Sequence, residues 1–103
     1  MDMKIDIVHL GDKIGKEAML EQTAEECSEL SKACLKLARK LRDENPTHKS
    51  FDVLENNLKE EVTDVLICIA ELKSLGLFTE EDIQKWDSHK VHTAFDRFRF
   101  KKG

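Results

Sequence analysis

Apolar residues recur in this chain at steps of three and four over most of its length, the period of a helix buried on one side. Leu20, Ala24, Cys27, Leu30, Cys34, Leu37, Ala38 and Leu41 predict a first long helix from about Lys16 to about Arg42. Leu54, Leu58, Val62, Val65, Ile69 and Leu72 predict a second. Its start is expected at a capping box formed by Asp52 and Glu55, and its end near Leu75, with Gly76 as the C-terminal cap. Thr79 can cap a last helix from Glu80 to about Phe98, with Ile83, Trp86, Val91, Ala94, Phe95 and Phe98 available for packing. The polar stretch from Asp43 to Ser50, with Pro46 inside it, reads as a loop. Residues 3–14 are ambiguous. Ile5, Ile7 and Val8 would suit a strand, yet no partner strand is evident, so a short helix ending near Gly11 is expected.

These elements predict one all-α domain spanning residues 1–103, a helical bundle of about four helices around long antiparallel central ones. With one Pro and four Gly, the chain has few helix breakers. A helix from Lys16 to Arg42 is ~40 Å long at ~1.5 Å per residue, whereas a compact chain of this size has a radius of gyration of ~13 Å. Such helices project beyond a tight globule, and their apolar stripes predict a homodimer or homotetramer.

Composition sharpens this picture. Charged residues make up 37% of the chain, well above the usual quarter, and the net charge is −4. No broad basic stripe precedes the C-terminal tail, which argues against nucleic-acid binding. No run approaches ~18 apolar residues, so no membrane span is expected. The first residues lack the apolar stretch of a signal peptide. Cys27, Cys34 and Cys68 form no C-x-x-C pair and are expected as reduced core thiols of a cytoplasmic protein.

The informative chemistry is two acidic words on two helices, Glu25-Glu26-Cys27-Ser28-Glu29 and Glu60-Glu61-Val62-Thr63-Asp64. Glu26 and Glu29 are three residues apart and project from one side of their helix; Glu61 and Asp64 repeat that spacing. Antiparallel packing of the two helices would let the pairs face each other. Asp64 opens the most apolar run of the chain, Val65 to Ala70, so it is expected to be partly buried. Two carboxylates ~5 Å apart repel by about 3 kcal/mol at an effective dielectric near 20. Four such groups call for protonation or a cation. Oxygen ligands without His or Cys suit Mg²⁺, with Mn²⁺ as a substitute. A single E-x-x-E is usually a solvated face; two on adjacent helices, one leading into an apolar run, are less easily dismissed.

The words Glu25-Glu26-Cys27-Ser28-Glu29-Leu30 and Glu60-Glu61-Val62-Thr63-Asp64-Val65-Leu66 resemble the E-x-x-E and E-x-x-D signature of the MazG-like nucleotide pyrophosphohydrolases, of the all-α NTP pyrophosphatase superfamily. The resemblance covers roughly residues 15–97. It implies an oligomeric helical bundle and Mg²⁺-dependent hydrolysis of a nucleoside triphosphate, non-canonical or deoxy ones included, to monophosphate and pyrophosphate in a house-cleaning role. It places the metal on Glu26, Glu29, Glu61 and Asp64, with Glu26 or Glu29 helping to activate water. The family also tends to carry basic residues on the helix after the second motif. Lys90 and Arg97, seven apart on one helix face with Lys85 nearby, are thus candidates for binding the triphosphate. Lys32 and Lys36 follow the first motif at helical spacing and are further candidates. The chain departs from the longer members, which carry two such domains, and shows no separate insertion for base recognition.

Other features read more plainly. His89 and His92 are three apart, but two ligands make no metal site, and surface histidines are expected. Trp86 with Phe95, Phe98 and Phe100 suggests core or oligomer packing before base stacking. No Glu is followed three residues later by His, which excludes the usual di-iron bundle. The rival functional class is a non-enzymatic helical module that keeps the bundle to bind another protein.

Overall fold

The computed structural model describes the backbone of residues 3–43 and 49–102 and the side chains of residues 11–43 and 49–93. The described residues form three helices and no strand: α1 (Met3–Leu41), α2 (Phe51–Ser74) and α3 (Glu80–Lys102). The all-helical expectation holds. The centre of the expected loop, including Pro46, lies outside the described residues.

Helix ends follow local chemistry, with two corrections. The break in the first helix falls at Gly15, not near Gly11: Gly15 has φ 86° and ψ 169°, while helix continues on both sides. That conformation is open essentially only to glycine. α2 is capped by Ser50, whose side chain accepts from the Val53 N–H at 3.3 Å, so the cap lies two residues before the expected Asp52 of the Asp52–Glu55 box. Asp52 instead places its charge in the first turn, where the helix dipole favours an acid. The C-terminal end of α2 is as expected. Gly76 takes φ 81°, its N–H donates to the Lys73 carbonyl at 2.9 Å, and the Leu77 N–H donates to the Leu72 carbonyl at 3.1 Å. Thr79 caps α3 reciprocally: its hydroxyl accepts from the Asp82 N–H at 3.1 Å, and the Asp82 carboxylate accepts from the Thr79 N–H at 2.9 Å.

α1 and α2 pack antiparallel, Gly11 meeting Glu71 and Ala33 lying near Leu54. The seam between them buries Met19, Ala33, Leu54, Val65, Cys68 and Glu71. On α1 this face is turned by about one residue from the expected stripe. Met19, Thr23, Glu26, Leu30, Ala33 and Leu37 face inward or are half-buried, whereas Leu20, Ala24, Cys27, Cys34 and Leu41 are exposed. The two stripes are adjacent on the helix, and periodicity alone does not choose between neighbours. The same holds on α2, where Leu54 and Val65 are buried as expected but Val62 and Ile69, expected on the same stripe, are exposed.

α3 packs on neither of the other helices among the described residues. Its described side chains are all exposed, Ile83, Trp86 and Val91 included, so these do not join a core within the chain. Ala94, Phe95 and Phe98, also expected to pack, lie outside the described side chains, as does Phe100. The radius of gyration is 17.4 Å, against about 13 Å for a compact chain of this size. One helix pair and one projecting helix account for the difference.

Candidate metal centre

The seam face of α1 carries Glu26 and that of α2 carries Glu61 and Asp64, and antiparallel packing sets them opposite one another. Each offers one carboxylate oxygen, and the three oxygens lie within 4.8 Å of one another. All three residues are half-buried, as expected for Asp64 at the mouth of its apolar run. Glu29 stays at the rim. It is exposed and pairs with Lys32 at 3.4 Å, one turn along α1. Glu25 and Glu60 point to solvent.

Glu61 shows the strain of this grouping. Burial pushes its carboxyl above the ordinary carboxylate range, and repulsion from Asp64, Glu26, Glu29 and Glu60 pushes in the same direction. One of its oxygens, Oε2, is buried and has no hydrogen-bond partner among the described residues. A buried carboxylate oxygen without a donor is costly. Three carboxylates of like charge, one of them with an orphaned buried oxygen, fit a divalent cation such as Mg²⁺. Oxygens sharing one Mg²⁺ at ~2.1 Å lie up to ~4.2 Å apart, so small side-chain rotations bring the trio into one coordination shell.

The surroundings are asymmetric. On one side of the trio an apolar cleft of about 290 Å³ is lined by Ile14, Gln22, Glu26, Asp64, Ile67 and Cys68. Gln22 donates from Nε2 to Glu26 Oε1 at 3.0 Å and so orients that carboxylate. Burial pushes the Cys68 thiol up, against a hydrogen bond with Thr23 that works the other way, which leaves an inert neutral thiol in the wall. On the other side a cleft of about 220 Å³ is lined by Glu29, Lys32, Ala33, Lys36, Leu54, Asn57 and Glu61.

The other candidates separate clearly. Lys90 is exposed on α3 and is not brought to the trio within this chain. Arg97 lies outside the described side chains. Lys32 and Lys36 line the cleft that also includes Glu61. His89 and His92 are exposed, and the His89 ring meets Trp86 edge-on at 5.8 Å between centroids. Cys68 is buried, but Cys27 and Cys34, expected in the core, are exposed because α1 turns its neighbouring stripe inward.

Sequence reading missed Glu71, which is completely buried in the seam. Its Oε2 accepts from the Gly11 N–H at 2.6 Å. A side chain on Gly11 would collide with that oxygen and crowd Leu75 at 3.2 Å. The available signal was Glu71 falling three residues after Cys68 on the seam face, where a charge is out of place.

Comparison with family models, with curated proteins and with solved structures finds no match to this chain.

Proposed function

We propose that the chain is a Mg²⁺-dependent nucleoside triphosphate pyrophosphohydrolase of the MazG-like kind. The observation that carries this reading is the meeting of Glu26, Glu61 and Asp64 across the α1–α2 seam, with a buried carboxylate oxygen of Glu61 left without a donor. The two sequence words that resemble the family signature supply three of the residues that meet, and the fourth, Glu29, stands at the rim.

Glu26, Glu61 and Asp64 would hold Mg²⁺, with Glu29 beside them. When bound, the ion supplies charge neutralisation for the phosphates and lowers the pKa of a nearby water. The protein's own groups do the rest. Gln22 fixes the Glu26 carboxylate. Glu26 or Glu29 accepts a proton from the attacking water; rim exposure leaves Glu29 reachable by solvent. The water oxygen bonds to phosphorus as the bridging P–O bond breaks, and the bridging oxygen leaves with the electron pair. Lys32 and Lys36 offset charge on the phosphates. Catalysis on this account is positioning and charge compensation.

Two further elements belong to the reading. A homodimer or homotetramer would cover the exposed apolar side chains of α1, α2 and α3 and complete a four-helix bundle. Phosphate binding by Lys90 and Arg97 would require such an assembly, because α3 packs on neither α1 nor α2 among the described residues. No helix among the described residues is long and apolar enough to cross a membrane, and a cytoplasmic setting suits a nucleotide substrate.

The test is incubation of the purified protein with canonical and modified (deoxy)nucleoside triphosphates plus Mg²⁺ or Mn²⁺, with pyrophosphate release measured. Metal-dependent release from at least one nucleotide is expected. No release from any would remove the enzyme reading and favour the interaction module. Light scattering at micromolar concentration is expected to show an oligomer; a monomer would contradict the assembly.

A further inference from the structure

The two clefts flanking the acidic trio differ in character, and the difference carries a direction. Both lie between α1 and α2, and both share members with the trio: Glu26 and Asp64 on the first side, Glu61 on the second. A wider hollow beside Asp64, lined by Asn56, Lys59 and Thr63, is walled by α2 alone and has no opposite face.

We propose that a nucleotide lies across the trio in one direction, its base and sugar in the cleft of Ile14, Gln22, Ile67 and Cys68, and its terminal phosphates in the cleft of Lys32, Lys36 and Asn57. This rests on the hydrolytic reading above for the class of ligand, and it adds polarity and a base-reading residue.

The first cleft has two isoleucine walls and a buried thiol. Its volume of about 290 Å³ is near the ~300 Å³ lower end of small-molecule sites. That suits a flat ring better than an extended polyanion. It holds one neutral polar group able to read a ligand, Gln22. The Gln22 orientation is fixed, because only its amide nitrogen can donate to Glu26. That leaves the carbonyl oxygen and a second amide hydrogen, neither taken by a described residue. A donor and an acceptor side by side match the amide-like edge of a nucleobase. Beside Glu29 and Glu61, the second cleft carries two ammonium groups one turn apart, Lys32 paired with Glu29 at 3.4 Å, and a side-chain amide; the first cleft carries Glu26 and Asp64 with no ammonium at all. The reverse orientation would set phosphates against isoleucine side chains, where they lose water and gain no cation. It would also leave both lysines facing an uncharged ring.

The experiment uses the two product halves as separate probes. Inorganic pyrophosphate and a set of deoxynucleoside monophosphates are titrated, with Mg²⁺, into the full chain, and binding is followed by calorimetry and by backbone amide shifts. Pyrophosphate is expected to move the amides of Lys32, Lys36 and Asn57, and monophosphates those of Gln22, Ile67 and Cys68. Lys32→Ala with Lys36→Ala should weaken pyrophosphate about tenfold, the loss of one or two charge-assisted contacts. It should leave the ranking of monophosphates intact. Gln22→Met, similar in size but without the amide, should flatten discrimination among bases, whatever it costs both probes through the lost Glu26 contact. Swapped shift patterns, equal losses of both probes in both variants, or a wild type that binds neither probe would overturn the proposal. The shift maps need no variant, so they decide even if a variant folds poorly. If the probes sort as expected but no triphosphate is hydrolysed, the hydrolytic reading fails and the two-sided site stands. If triphosphate is hydrolysed but the probes do not sort, the polarity fails and the hydrolytic reading stands.

Discussion

Two carboxylates on α2 are treated in opposite ways. Glu71 is completely buried, yet a backbone N–H from Gly11 donates to it at 2.6 Å, and Leu75 closes around the contact. Glu61 is only half-buried, but the charged groups acting on it are Asp64, Glu26, Glu29 and Glu60, all acids. Each has one buried oxygen with no partner among the described residues. The difference lies in what surrounds the other atoms. Glu71 is fastened to the fold by a donor the fold provides. Glu61 sits among acids that push its carboxyl up, a repulsion that the proposed cation would relieve. On the proposed reading, burial alone does not mark a metal-holding acid; the sign of its neighbours does.

Removing one member of the acidic trio tests this comparison hardest. Asp64→Asn keeps the size and hydrogen-bonding capacity of the side chain but removes a charge. Pyrophosphate release is expected to fall about 100-fold or more, the scale for losing one group that stabilises developing charge. The melting temperature without divalent metal is expected to stay level or rise, because Glu61 loses its strongest repelling neighbour. Wild-type turnover in this variant would show that Asp64 holds no metal.

The Glu71 side of the comparison breaks at Gly11. In an exposed helix, Gly→Ala stabilises by roughly 1 kcal/mol. Here the new Cβ would strike the Glu71 carboxylate and press on Leu75. Gly11→Ala is therefore expected to destabilise by about 2 kcal/mol through overpacking and a distorted hydrogen bond. That corresponds to a drop of about 10 °C in melting temperature for a chain of this size, and denaturant melts would show it. Mg²⁺ affinity should change little, because the contact lies away from the trio. A stabilised variant would mean that the Gly11–Glu71 contact does not form.

The sequence made the helices and the trio legible for different reasons. Helix ends at Thr79 and Gly76 were readable because capping is local: a side chain or a positive φ satisfies backbone groups within one turn. The trio was readable because Glu26–Glu29 and Glu61–Asp64 share faces at a fixed spacing, although of the first pair only Glu26 turned toward the seam, half-buried, and Glu29 stayed exposed. The inward face of α1 was not readable. Leu20 and Met19 are adjacent and both apolar, and only the partner helix decides which one faces inward. Gly11 and Glu71 were beyond reach for a related reason, since their contact joins residues sixty positions apart. The projection of α3 was likewise hidden, because its apolar residues pattern like those of a packed helix whatever covers them.

The finest effect is the pH response of the metal-free protein. The carboxyl of Glu61 is raised on folding above its ordinary value of 4.5. A raised acid binds its proton more tightly in the folded state. Its contribution to stability is therefore fully present below the unfolded value and is lost as pH rises through the folded one. With divalent metal removed by chelation, the melting temperature is expected to decline as pH rises through that window toward neutrality. Glu61→Gln should flatten the decline, because its amide does not titrate. Saturating Mg²⁺ should reverse the slope, since the ion binds deprotonated carboxylates and competes with protons for them. Gln at 61 should remove that reversal as well. A metal-free slope identical in Glu61→Gln and the parent would mean that the acids around Glu61 do not repel it, and the contrast with Glu71 would collapse.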